Sequence, residues 1–129
     1  MKVSNIQIRY KLWLHKGKTG EVLEETGGKK QDILGKGGAE LLEAIDELRD
    51  LGKATQKMNC SYKYAWNILQ KIKRRAGQDP VVTHRGGKGG GGGIELSEFG
   101  RDLLNFYRKC QELVETALKN ATTELGTTN

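Results

Sequence analysis

Apolar residues change their spacing several times along this chain, and each change marks an element. Within Ile6 to His15 the residues Ile6, Ile8, Tyr10, Leu12 and Leu14 share one parity, the period-two signature of a strand. Lys16-Gly17-Lys18-Thr19-Gly20 then reads as a turn. Val22-Leu23 and Ile33-Leu34, with Gly27-Gly28 between them, read as two further short strands. Residues 1–36 are therefore expected to form a small antiparallel β segment. From Ala39 to Leu51 the period becomes helical: Leu41, Leu42, Ile45, Leu48 and Leu51 make one stripe, while Glu40, Glu43, Asp46, Glu47 and Asp50 face away. Gly52 is the expected C-cap of this helix. Lys53 to Met58 reads as a short second helix, Asn59-Cys60 as a turn, and Ser61 as the N-cap of a third helix.

On a wheel of about 100° per residue, the third helix sorts cleanly. Ala65, Ile68, Leu69, Ile72 and Ala76 fall on one face, and Lys63, Asn67, Gln70 and Arg74 on the other with Lys71 beside them. Gly77 and Pro80 stop the helix. Val81 to Arg85 and Ile94 to Leu96 are then two strands joined by a glycine-rich loop. Ser97 caps a final helix, expected to run to residue 121, whose apolar positions Phe99, Leu103, Phe106, Cys110, Leu113 and Ala117 alternate spacings of four and three. Tyr107, Val114 and Leu118 widen that stripe. Heptad spacing asks for a partner helix, from the same chain or a second copy. Thr122 to Asn129 reads as a frayed tail. The expected fold class is α+β: one domain over residues 1–129, with a β segment (1–36), three helices and a strand pair (39–96) and a long helix (97–121).

Length and charge sharpen this picture. The 129 residues suit one core with little room for a separate catalytic or sensor unit. Between Lys53 and Gly89 there are nine basic residues and one acid, Asp79, so this segment carries +8 while the rest of the chain carries −2. Concentrated positive charge suits a polyanion, and nucleic acid is the commonest. No helix pairs a basic face with a broad Trp, Phe and Leu face, and no leader or long apolar run is visible, so a cytoplasmic protein without a membrane partner is expected. Cys60 and Cys110 lack zinc-site spacing and read as reduced thiols, and His15 and His84 have no nucleophile or carboxylate arranged around them in sequence. No enzyme, cofactor or metal is expected.

The third helix follows a short helix and a turn and precedes a basic strand pair, which is how a winged helix-turn-helix presents itself to DNA. Ser61, Tyr62, Lys63, Asn67, Gln70, Lys71 and Arg74 are the candidate major-groove contacts. Asn and Gln can bond adenine bidentately, and Lys and Arg suit guanine or phosphate. An ordinary solvated helix face would carry similar residues, but its position ahead of a basic wing favours readout. In the wing, seven of the eight residues from Gly86 to Gly93 are glycine. Arg85, Gly87 and Lys88 are the candidate phosphate contacts there, through charge and exposed N–H groups. A nucleotide-binding P-loop would need GK followed by Ser or Thr at a helix start, and Gly87-Lys88 runs into glycine instead.

From Leu41 to Arg108 the chain resembles the N-terminal winged helix-turn-helix domain of ModE-type molybdate-responsive regulators, itself related to the LysR-type DNA-binding domain. The resemblance rests on the LLEAID helix, on SYKYAW opening the third helix, and on GGKGGGGG followed by Leu96-Ser97 and Gly100. It implies a regulator that dimerises and binds a palindromic operator in double-stranded DNA. The homodimer surface would be the heptad stripe Leu103, Phe106, Cys110, Leu113 and Ala117. Full-length relatives bind molybdate through C-terminal domains, and no segment after the long helix matches them, so a molybdate or other oxyanion effector is not expected. Two rival readings remain at this stage: a sequence-tolerant architectural nucleic-acid binder, and a protein-interaction or oxyanion-sensing module.

Overall fold

Four helices and two two-stranded antiparallel sheets make up the computed structural model, which describes residues 5–23, 29–85 and 93–127. Strand β1 (Leu14–His15) pairs with β2 (Asp32–Leu34), Leu14 opposite Leu34. The pair continues one step further, where the Lys16 N–H donates to the Gln31 carbonyl at 2.9 Å. The expected strand from Ile6 is not formed before Leu14, and Val22-Leu23 is not a strand either. Period-two alternation needs a neighbouring strand to satisfy its backbone, and among the described residues none lies beside Ile6 to Trp13. Instead that segment is held by side chains: the Tyr107 hydroxyl donates to the Leu12 carbonyl at 3.3 Å, and the Tyr10 hydroxyl donates to Glu115 Oε1 at 3.1 Å.

Helices α1 (Lys36–Leu48) and α2 (Leu51–Met58) meet at a sharper break than the sequence suggests. Arg49 takes the left-handed conformation at φ 53° and ends α1, and Asp50 accepts the Lys53 N–H at 2.8 Å to cap α2. Leu51 therefore opens the second helix, and Gly52 lies inside its first turn rather than capping the first. After the Asn59-Cys60-Ser61 turn comes α3 (Tyr62–Ala76), capped as expected: Ser61 Oγ accepts the Tyr64 N–H at 3.0 Å, and Gly77 closes the helix at φ 79°. A positive φ at that position suits glycine and strains other residues.

Strands β3 (Val81–His84) and β4 (Gly93–Leu96) pair with Val81 opposite Leu96 and His84 opposite Gly93. The Ile94 N–H also donates to the Arg49 carbonyl at 3.3 Å, which ties the strand pair to the end of α1. Helix α4 (Glu98–Thr127) starts at the Ser97 cap, where Ser97 Oγ accepts the Gly100 N–H at 3.0 Å. It continues past the expected end at residue 121, so Thr122 and its neighbours are helical rather than a frayed tail.

The core lies where α1, α2, α3, β4 and the start of α4 converge. Leu41, Leu42, Ile45, Leu69, Ile72 and Leu104 are almost wholly buried there. Ile68 and Ala76, expected in the core, are only half-buried. Gly100 belongs to this packing because a Cβ on it would fall 2.0 Å from the Pro80 carbonyl oxygen. Close approach of α4 to the chain entering β3 is possible only without a side chain there.

Candidate nucleic-acid interface

The face of α3 opposite its core residues is open. Ser61, Tyr62, Lys63, Asn67, Gln70, Lys71 and Arg74 are all exposed, while Ala65, Leu69 and Ile72 anchor the helix from below. Among the described residues, the side chains of Lys63, Asn67, Gln70, Lys71 and Arg74 have no hydrogen-bond or ion-pair partner, so their donors and acceptors are available to a ligand. Neighbouring cations are engaged: Lys73 lies 3.5 Å from Asp79, and the Arg75 guanidinium donates to the Asp32 carbonyl at 2.6 Å. The unpaired groups thus fall on one side of the helix.

Two aromatic rings frame the opening of α3. Tyr62 packs edge-on against the half-buried Trp66, with centroids 6.3 Å apart and planes at 65°. Trp66 also contacts the core, so it fixes the Tyr62 ring at the rim. Tyr64, on the other side, is 54% exposed. Ser61 has two capacities at once: its oxygen caps the helix, and its O–H remains free to donate.

The strand pair after α3 carries its own charges. Arg85 is exposed at the end of β3. His84 Nε2 lies 3.3 Å from Glu95 Oε1, and Arg49 lies 4.0 Å from the other oxygen of the same carboxylate. Glu95 therefore offsets positive charge at the base of the loop and leaves Arg85 beyond it. Gly87 and Lys88 lie outside the described residues.

This order of helix, turn, exposed helix and strand pair is shared with known proteins. No family model matches the chain. Over 86 residues it is 32% identical to the molybdenum transport protein ModE of Azotobacter vinelandii, covering 67% of this chain and 32% of that protein. Over 88 residues it is 33% identical to the molybdenum-pterin-binding protein MopB of Rhodobacter capsulatus, covering 68% of this chain and 31% of that protein. The crystal structure of the CbnR DBD–DNA complex superposes with a TM-score of 0.51 at 17% identity, covering 67% of this chain and 93% of the other. The chain folds as a winged helix-turn-helix similar to the ModE-type domain. It spans about a third of the length of the curated relatives it matches.

On α3, Lys63, Asn67, Gln70, Lys71 and Arg74 share one face, Ser61 caps the helix at its start, Tyr62 lies nearer the core side, and Arg85 stands at the end of β3. The expected stripe on α4 divides. Leu103 and Cys110 are half-buried, whereas Phe106 and Leu113 are each 57% exposed and Ala117 is exposed too. The fully buried apolar residues of α4 are Leu104, about 100° round the helix axis from Leu103, and Tyr107, about 40° from it, with Phe99 and Leu103 packed beside them. Sequence reasoning missed Leu104, although Gly100, Leu104 and Tyr107 repeat at the helical spacing of four and three. It also missed Lys16, Lys30 and Arg75, which with Arg74 border a cleft beside the last turn of α3. A two-residue strand pair far away in sequence brings the two lysines there, and no local pattern announces it.

Proposed function

We propose that this ModE-like domain is a DNA-binding transcriptional regulator that grips duplex DNA as a homodimer, with α3 in the major groove and the wing on the flanking backbone. The observation that carries this reading is the exposed, unpartnered polar and basic face of α3, the second helix of a helix-turn-helix. In such a motif that helix is the one free to enter a groove. Lys63, Asn67 and Gln70 are the base-reading candidates. Arg74, Arg85 and Lys88 serve the phosphates, along with the glycine N–H groups. The exposed stripe of Phe106, Leu113 and Ala117 gives a second copy a surface to cover. Two recognition helices in one dimer would stand about 34 Å apart, one turn of DNA.

Selection from randomised duplex DNA at about 0.15 M salt tests this reading, because weak phosphate binding is largely suppressed there. Enrichment of an inverted repeat is the expected result. Bound DNA without enrichment would instead favour a sequence-tolerant architectural binder, and absence of bound DNA would overturn the proposal. On the enriched site, Asn67→Ala is expected to cost about 1–3 kcal/mol while leaving random DNA unaffected. Lys88→Ala is expected to weaken both equally and to flatten the salt dependence.

A further inference from the structure

Lys16 and Gly17 of the turn after β1, Lys30 and Gln31 before β2, and Arg74 and Arg75 of the last turn of α3 line an open cleft of about 680 Å³. Four of the six residues carry cationic side chains, and none is an acid. The nearest described carboxylate in sequence, Asp32, is engaged by His15, whose Nδ1 lies 3.1 Å away. Two parts of the chain more than forty residues apart thus converge on one concave patch of positive charge.

The bond from Arg75 to the Asp32 carbonyl fixes the two walls of the cleft against each other. A guanidinium has five N–H donors, and this bond uses one of them. The Lys16 backbone is tied as well, through its N–H to Gln31. Its ammonium, together with those of Lys30 and the Arg74 guanidinium, has no acidic partner among the described residues. Like charges lining one patch repel one another, and an anion among them relieves that repulsion. The negative end of the α3 dipole lies here too and disfavours an anion. The arginines at the helix end offset that effect, and Lys16 and Lys30, which come from outside the helix, tip the balance toward anion binding.

Arg74 connects the cleft to the recognition face. From Lys63 to Arg74 the helix rises roughly 16 Å. A recognition helix meets base edges with its N-terminal residues, so its last turn lies farther from the bases and nearer the flanking backbone. We propose that the cleft formed by Lys16, Lys30, Arg74 and Arg75 holds a backbone phosphate of the duplex bound by α3, so that the N-terminal β segment is part of the DNA interface. This rests on the reading of α3 as the recognition helix.

The test compares the wild-type chain, the double variant Lys16→Gln with Lys30→Gln, and Asn67→Ala. Both lysines are exposed, so the double variant is expected to fold normally, which circular dichroism checks. Anisotropy titrations with the enriched site and with random duplex are run from about 0.05 to 0.3 M salt. The double variant is expected to lose about tenfold in affinity on both DNAs, with the salt slope smaller by about 0.9 per phosphate released. Asn67→Ala is expected to lose affinity for the enriched site only. If the double variant binds with wild-type affinity and slope while Asn67→Ala still loses the enriched site, the cleft assignment falls and the recognition helix stands. A wild-type chain that binds no duplex overturns both. Thermal shifts with inorganic phosphate separate the other source of the same chemistry. Stabilisation of the wild type that the double variant lacks, with unchanged DNA binding, would give the cleft to a free anion and overturn the duplex assignment.

Discussion

Ser61 shows how one side chain can serve folding and binding, and how to tell the two apart. Its Oγ accepts the Tyr64 N–H, so Ser61→Ala is expected to destabilise the fold by about 1 kcal/mol in urea unfolding. Asp caps as well as Ser, so Ser61→Asp is expected to keep the stability while weakening DNA binding more than Ser61→Ala does, because a carboxylate would face phosphates. Equal DNA affinity for the two variants would remove Ser61 from the interface. Gly100 is a purely structural counterpart. A Cβ there meets the Pro80 carbonyl at 2.0 Å, and Gly100→Ala is expected to cost on the order of 1–3 kcal/mol. Gly37 has open space around it in the first turn of α1, and Gly37→Ala is expected to be neutral or stabilising by up to about 1 kcal/mol. Thermal melts of the pair would show whether close approach or helix propensity governs these positions. Residue-level signals were unequal in the sequence. The Ser61 and Gly77 caps follow standard chemistry and were legible. The break at Arg49 was not, since a non-glycine left-handed residue has no strong signature. Asp50, three residues before the Lys53 N–H it accepts, was the available clue.

At the scale of elements, α3 was legible to its ends, while α1, α2 and α4 were legible as helices with ends displaced by two to six residues. The N-terminal strand was not. Its alternation from Ile6 to Tyr10 leaves Ile6 and Ile8 exposed, and the segment is carried by contacts to α4 rather than by a sheet. Those contacts make stability depend on pH at the alkaline end. Burial, followed by the bond to Glu115 and its negative charge, raises the Tyr10 pKa above the ordinary tyrosine value of 10.0. Burial, followed by the charges of Tyr10 and Glu40, raises that of Tyr107 in the same direction. The folded state thus holds these protons after the unfolded chain has released its own. The contribution is complete below pH 10 and is lost as pH rises through the folded values. Urea unfolding is expected to show a stability that is level up to about pH 9 and declines above about pH 10. Tyr107→Phe should reduce the decline, at a baseline cost of about 1 kcal/mol for the bond to Leu12. An unchanged decline in that variant would show that Tyr107 has no part in the effect.

For the whole molecule, the basic third of the chain and the heptad stripe were both legible, but their geometry was not. The cleft between the β segment and α3 needs the tertiary fold to bring Lys16 and Lys30 to Arg74. The stripe on α4 could have been the face that packs on its own domain. Its first members, Phe99 and Leu103, do pack there beside Leu104 and Tyr107, whereas Phe106 and Leu113 are exposed. A helix of 30 residues, roughly 45 Å long, extends well beyond a core that reaches only its first half. Apolar residues at heptad spacing on such a projection are stabilised most simply by the same stripe of a second copy. This makes Leu113 a discriminating position. In a monomer, Leu113→Lys replaces an exposed side chain and should leave thermal stability unchanged. In a dimer it places an unpaired charge in an apolar seam, which costs several kcal/mol. Light scattering at micromolar concentration is expected to give twice the chain mass for the wild type and the single-chain mass for Leu113→Lys. DNA affinity should fall with the mass, because two half-sites held by one dimer bind more tightly than either alone. A variant that keeps twice the chain mass would remove the α4 stripe as the dimer surface, and a wild type of single-chain mass would leave each domain to bind its half-site alone.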